Sequence, residues 1–195
     1  MADSIEVRAA TPGELERAVS TIALAFAADP FTRWVLPDAG DFIRFFPAVL
    51  REFGGHGIAH QSVYVTGDFG GASLWLPPGV HPDDDVLGAL FQEAVRGQRL
   101  ADFLAVFEQM GGYHPDEPYW YLPMIGVDPA CQSGGRGSAL LHHALARIDR
   151  EGLPAYLESS NRANISLYER HGFEVMAEIR VADSPVVTPM LRAAR

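Results

Sequence analysis

The chain has one cysteine, Cys131, among 195 residues. An internal disulfide is therefore impossible, and this usage suits a reducing compartment. Positive charge is scarce too: 15 Lys+Arg stand against 25 Asp+Glu, a formal net charge of −10. That balance argues against a general nucleic-acid binder, which needs a basic face, and against docking on anionic membranes. No apolar run is long enough to span a bilayer. The opening MADSIEVRAA has neither the basic start nor the apolar stretch of an export signal, so a cytoplasmic location is the expectation. There is no internal repeat and no low-complexity tract. What is present is an ordinary globular composition, 48% hydrophobic and 21% charged, at a length that fits a single domain, 1–195, with a full core. Net acidity leaves room for a local anion site if backbone amides build it.

Residues 4–9 alternate as a short strand. Thr11-Pro12-Gly13-Glu14 then reads as a capping box with proline at the first helical position. Leu15, Ala18, Val19, Ile22 and Phe26 follow at helical spacing, which predicts a helix to about Ala28, ended by Asp29-Pro30. A second helix is predicted over 39–53, stopped by Gly54-Gly55. Strands at 61–66 and 71–76, joined by Gly67-Asp68-Phe69-Gly70, read as a hairpin. The segment 77–118 opens with Pro77-Pro78-Gly79 and closes with His114-Pro115-Asp116-Glu117-Pro118. Weak helical patterns lie between, around 84–96 and 98–110, so it reads as a helical insertion too short for a core of its own. Residues 119–127 form an apolar strand expected to be buried on both faces. A helix over 136–150 stopped by Gly152, a strand at 154–159, a helix at 162–170 and strands near 173–181 and 186–192 complete the chain. This alternation predicts α/β layers around a mixed sheet.

The informative stretch runs Val127-Asp128-Pro129-Ala130-Cys131-Gln132-Ser133-Gly134-Gly135-Arg136-Gly137-Ser138. A buried strand ends, a turn with proline follows, and a glycine-rich loop opens a helix. Glycines permit close backbone approach, and the first free amides of the helix carry the positive end of its dipole. This is the chemistry of a phosphate cradle, with Arg136 as an added charge. A Walker loop does not fit, because the stretch holds no lysine. A dinucleotide fingerprint does not fit either, because its third glycine is missing from Gly135-Arg136-Gly137-Ser138-Ala139-Leu140. The plain alternative is a glycine-rich turn that only caps a helix.

The loop resembles a signature of the GCN5-related N-acetyltransferase (GNAT) superfamily, Gln/Arg-x-x-Gly-x-Gly/Ala between strand and helix, here Gln132-Ser133-Gly134-Gly135-Arg136-Gly137. A second signature follows in the right order: the strand Leu157-Glu158-Ser159, Asn161 and Asn164 at a helix start, then Tyr168 and Gly172-Phe173. The resemblance covers 119–192 strongly and the rest loosely. Within the superfamily the chain looks most like puromycin N-acetyltransferase-like proteins, on Ser73-Leu74-Trp75-Leu76-Pro77-Pro78, Glu117-Pro118-Tyr119-Trp120-Tyr121-Leu122, Leu157-Glu158-Ser159-Ser160, and Asn164 four residues before Tyr168. Their substrate does not carry over, because the insertion that should shape the acceptor site is weakly patterned.

The resemblance implies a mixed, mostly antiparallel central sheet flanked by helices, with the helical insertion before the coenzyme-binding strand. It implies acetyl-CoA as acetyl donor, its pyrophosphate held by the amides of Gln132, Ser133, Gly134, Gly135, Arg136, Gly137 and Ser138. Pantetheine would lie along 123–127 and pair with the backbone of Met124, Ile125 and Val127. Tyr168 matches the tyrosine that faces the coenzyme sulfur. As a phenol with an ordinary pKa of about 10, it is a candidate general acid for the leaving thiolate; its plain alternative is a buried helix tyrosine. The acceptor amine must lose a proton, and Glu158 on the neighbouring strand is the first candidate base. A carboxylate that only holds a neighbouring backbone or arginine group is the other reading of Glu158. Asp116, Glu117 and His114 are weaker candidates, in what reads as a solvated turn. Asn164 either bonds the coenzyme or caps the helix, and Asn161 reads as a cap. Trp75 and Tyr121 are assigned to the acceptor site, with Tyr113, Tyr119 and Trp120 nearby; each aromatic has a plain packing role as alternative. Cys131 reads as a bystander, and His142 and His143 lack zinc spacing, so no metal is expected. The expected acceptor is a small, partly apolar or aromatic primary amine. The alternatives are a protein or peptide N-acetyltransferase and a non-catalytic CoA-binding protein. A homodimer stays open.

Overall fold

The computed structural model describes residues 5–195, so residue 4 of the first expected strand lies outside the described residues. In chain order the elements are β1 (Val7–Ala9), α1 (Leu15–Ala25), α2 (Pro30–Val35), α3 (Ala39–Gly54), β2 (Val63–Thr66), β3 (Gly71–Leu76), α4 (Asp84–Ala94), α5 (Gln98–Gly111), β4 (Trp120–Val127), α6 (Arg136–Glu151), β5 (Ala155–Ser159), α7 (Ile165–Arg170), β6 (Glu174–Val175) and β7 (Thr188–Arg192). The strands form one seven-stranded sheet in the order β1-β2-β3-β4-β5-β7-β6. Every pairing is antiparallel except β4 with β5. This is the mixed, mostly antiparallel sheet that the sequence predicted.

Three departures from the prediction bear on the site. The first helix stops at Ala25 rather than Ala28, because Asp29 opens a helix of its own. The Asp29 side chain accepts from the Thr32 amide at 2.9 Å, and Pro30 occupies the first position of α2, where its missing N–H costs nothing. The strand predicted at 173–181 shrinks to β6 plus a single bridge, Ile179 to Val187. The strand at 119–127 is not buried on both faces throughout: Trp120 to Leu122 are buried, but Pro123, Met124, Ile125 and Val127 are half-buried.

That change along β4 has a topological cause. β4 pairs with β5 only at Trp120–Ala155 and Tyr121–Tyr156. Beyond those residues the two strands part. β4 continues along β3 as far as the Val127–Gly71 pair, and β5 continues along β7 as far as Ser159–Thr188. Gly126 is needed on this course: a Cβ there would lie 2.8 Å from the Ala25 Cβ, so only glycine lets α1 press this closely on β4.

The sheet has apolar side chains on both faces, sorted by the strand period of two. Val63, Val65, Ala72 and Leu74 join α1, α3 and the insertion in one cluster. Tyr64 and Trp75 join Leu140, Leu141 and Ile148 of α6 in another. The insertion is bound into the first cluster through Leu87, Phe91, Val95 and Phe103. Its rings stack closely, with Phe91–Phe103 and Phe103–Phe107 centroids 4.4 and 4.6 Å apart.

This sorting corrects the assignment of Trp75 to the acceptor site. Trp75 is fully buried on the α6 side of the sheet, whereas the cavity described below opens on the other. Trp75→Ala should therefore cost about 3–5 kcal/mol of stability through the space it leaves, read as a lower urea midpoint, with the acceptor KM of the folded fraction unchanged. A wild-type midpoint with a raised KM would restore Trp75 to the site.

Candidate active site

The loop after β4 is shaped by two left-handed residues. Ser133 has φ +61° and Gly135 has φ +86°. Gly135 is the N-cap of α6, and no side chain caps that end. The backbone amides of residues 133–138 donate no hydrogen bond among the described residues. A 16-residue helix thus presents bare amides at its positive end. Gln132 braces the loop instead, its Nε2 donating to the Val127 carbonyl at 3.2 Å. Ser138 and His171 are 2.9 Å apart, and His171 Nδ1 lies 2.8 Å from the Leu167 carbonyl. A carbonyl can only accept, so Nδ1 carries the hydrogen and neutral His171 accepts the Ser138 hydroxyl at Nε2. This contact ties the start of α6 to α7, the helix that carries Tyr168.

Arg136 does not stand free over the loop as expected. Its Nη2 and Nε donate to Asp68 Oδ2 at 2.6 and 3.2 Å, and Nη1 donates to the Cys131 carbonyl at 3.2 Å. The guanidinium, with the Thr66 hydroxyl and the Gly70 amide, holds the Asp68 carboxyl well below the usual range. Arg136 pins the β2–β3 turn to the loop, and the bare amides are left as the local attraction for an anion.

Where β4 and β5 part, a cavity of about 100 Å³ opens between them. Met124 and Ile125 of β4, Leu157 and Glu158 of β5, and Asn164 and Tyr168 beyond line it. The structure thus brings together Ile125, Glu158, Asn164 and Tyr168, which are spread over 44 positions in sequence (168 − 125 = 43 steps). Val127 continues the same half-buried edge toward the loop. Asn161 is the helix cap it was read to be, accepting from the Ala163 amide at 3.0 Å.

Tyr168 is buried, and burial raises its hydroxyl pKa, with nearby Asp29 adding to the shift. The phenol therefore keeps its proton at neutral pH. The Glu158 side chain is only 4% exposed. Its Oε2 accepts from the Tyr121 hydroxyl at 2.8 Å, and its Oε1 is 2.9 Å from His114 Nε2. That second contact is short yet not aligned as a hydrogen bond, so Oε1 has no completed bond among the described residues. Burial and Glu158 together raise Tyr121 well above the ordinary phenol value, and they do the same to Tyr156 beside it. A buried carboxylate oxygen left without a donor is costly unless a ligand supplies one.

Tyr121 also lines a larger outer groove of about 930 Å³ under the insertion. Phe53, Phe91, Phe103 and Phe107 form its floor together with Tyr121, and Asp84, Asp116 and Glu117 stand at its rim. His114, rated weakly from its proline-rich turn, is in this groove and against Glu158 at once. Sequence also gave no warning of Ser160, whose hydroxyl donates to the buried Asp29 at 2.8 Å. The Asp-Pro cap signal was legible, but a partner 131 positions away was not. Among the described residues no group of three or more His, Cys, Asp or Glu is placed to hold a metal ion, and no helix is long and apolar enough to cross a membrane.

Comparison with known proteins agrees with this geometry. The model of the Acetyltransferase (GNAT) family matches residues 79–173. An uncharacterized N-acetyltransferase of Schizosaccharomyces pombe is 28% identical over 174 residues, covering 82% of this chain and 70% of that protein. A crystal structure from Corynebacterium glutamicum, described as histone acetyltransferase HPA2 and related acetyltransferase, superposes with a TM-score of 0.69 at 26% identity, covering 98% of this chain and 97% of the other. A polyamine N-acetyltransferase of Drosophila melanogaster shares the fold, with a TM-score of 0.66 at 14% identity over 97% of this chain and 100% of the other. The parted β4–β5 pair, the glycine-rich loop of bare amides and these relatives together make the chain similar to acetyltransferases of the GNAT superfamily.

Proposed function

We propose that the protein transfers the acetyl group of acetyl-CoA to the primary amine of a small, partly apolar or aromatic molecule by direct attack. The observation that carries this reading is Glu158 Oε1, a buried carboxylate oxygen without a completed hydrogen bond in the cavity that Tyr168 also lines. The donor fits two further features: the bare amides of 133–138 suit a pyrophosphate, and the unpaired edge of β4 suits an extended arm bearing amides. Residues 123–127 bridge the two, about 17 Å at a strand's rise per residue. A reducing, cytoplasmic setting fits the single, unpaired Cys131.

Bound acetyl-CoA supplies an activated acyl carbon and a sulfur leaving group. Glu158 takes the proton of the acceptor nitrogen as that nitrogen attacks the carbon. Tyr168 hydrogen-bonds the sulfur and gives it a proton as the carbon–sulfur bond breaks. Its raised pKa holds the hydrogen in place until negative charge develops there. The Tyr121 hydroxyl orients Glu158 from the side that divides cavity and groove.

The groove supports the acceptor class. An aromatic floor favours a flat or apolar body, as small-molecule sites are usually lined, and the rim carboxylates attract a cation. The likeness to puromycin N-acetyltransferase-like proteins belongs to this reading, without their substrate. The Drosophila neighbour is described as acting on polyamines. The Corynebacterium neighbour is described as a histone acetyltransferase, which favours a protein or peptide acceptor as the second reading.

Three measurements test the proposal. Gly135→Val adds a side chain to a left-handed residue where the backbone must approach phosphate closely. Calorimetry should show at least about tenfold weaker binding of acetyl-CoA in the folded variant; equal affinity would remove the loop from the coenzyme site. Tyr168→Phe and Glu158→Gln should each lower kcat by on the order of 10²–10⁴ with little change in coenzyme affinity. Wild-type turnover in either variant, with chemistry rate-limiting, would reduce that residue to packing. On a panel of acceptors, aromatic amines should outcompete polyamines and lysine peptides, and activity on peptides alone would replace the first reading with the second.

A further inference from the structure

A buried base that takes up a proton must also release it, and the Glu158 side chain is only 4% exposed. Glu158 lines the inner cavity but not the outer groove. Four polar side chains surround its carboxylate: Tyr121, which donates to Oε2; Tyr156, fully buried and itself without a partner among the described residues; Tyr119, close enough for each group's charge to be felt by the other; and His114, against Oε1. Tyr156 is fully buried and does not line the groove, and the Tyr121 hydroxyl hydrogen is already given to Oε2. His114 differs in two respects. Its side chain is 28% exposed and lies in the groove. Its Nδ1 is 2.6 Å from the hydroxyl of Tyr119, which is also in the groove. The imidazole sits among the rings of Tyr119, Tyr121 and Tyr156, with centroids 5.8, 5.1 and 4.5 Å away, which fix its plane.

We propose that His114 relays the proton from Glu158 to the groove. The proposal rests on Glu158 being the base. After Glu158 has taken the amine proton, the Oε1–H bond breaks and an Nε2–H bond forms on His114. The Nδ1–H bond then breaks, its proton going to the Tyr119 oxygen while the Tyr119 hydroxyl hydrogen passes to water in the groove. The net change is one proton moved from Glu158 to solvent, with the imidazole neutral at the start and at the end. The step needs Nε2 to present its lone pair to Oε1 once that oxygen carries a proton, and the 2.9 Å between the two atoms is within reach of the transfer. Before the next turnover the ring regains its first tautomer by losing the Nε2 hydrogen to groove water and taking one at Nδ1 through the Tyr119 hydroxyl, with no net proton moved. An imidazole suits this task because either of its two ring nitrogens can hold or give up a hydrogen.

The test compares wild type, His114→Ala and Glu158→Gln in dilute buffer with and without added imidazole. Steady-state kcat of His114→Ala should fall on the order of tenfold in dilute buffer. Imidazole should restore it, and the rate of the first turnover and the acceptor KM should stay at wild-type values. A purely structural role for His114 would lower the first turnover as well and would not respond to imidazole, and either result overturns the relay. So does a His114→Ala enzyme with wild-type kcat in dilute buffer. If Glu158→Gln is inactive while His114→Ala behaves in one of those ways, the relay fails and the base stands. If Glu158→Gln turns over normally, the base falls and the relay with it.

Discussion

The arrangement of this molecule depends on the parting of β4 from β5. Each strand is paired on its outer edge, β4 with β3 apart from an irregularity at Leu122–Pro123 and β5 with β7 throughout, and the two meet in only two residue pairs. Backbone polar groups on the inner edges therefore lack sheet partners, and buried backbone groups do not stay unpaired cheaply. A ligand that offers amide-like groups along an extended arm resolves that cost. The close packing of α1 on Gly126 keeps β4 on β3 and so keeps the gap open.

The gap also decides the electrostatics of the site. Glu158 is on the strand β5 at the mouth of the parting, almost wholly buried. Burying a carboxylate is expensive unless its oxygens are satisfied. Tyr121, opposite it on β4, satisfies one oxygen, and the end of the insertion brings His114 to the other without completing a bond. The same burial keeps the Tyr168 phenol protonated.

Asp29 links this site to the N-terminal helices. One oxygen starts α2 and the other accepts from Ser160, just past the end of β5. Burial raises the Asp29 carboxyl pKa, against the pull of those hydrogen bonds. One capping residue thus fixes both the turn between α1 and α2 and the loop that leads from Glu158 to Tyr168.

The sequence by itself determined the elements and the loop. Helical spacing from Leu15 to Ile22, the capping box at Thr11–Glu14 and the strand–glycine loop–helix order at 127–140 are local patterns, fixed by backbone sterics and by amides that need partners. It also held two signatures, at 132–137 and 157–173, which pointed to the family and to Tyr168 and Glu158. Tertiary structure alone decided how those residues are used. Which face of β3 carries Trp75 depends on what packs on each side of the sheet, and alternation along a strand says only that the faces differ. Whether Arg136 is free depends on Asp68, on a turn 68 positions earlier. His114 gained its place against Glu158 through the path of the insertion, whose weak periodicity reflects apolar residues such as Val86 and Leu104 left exposed beside one buried face of each helix. The width of the β4–β5 parting is a property of two strands held by different neighbours, and no stretch of sequence contains it.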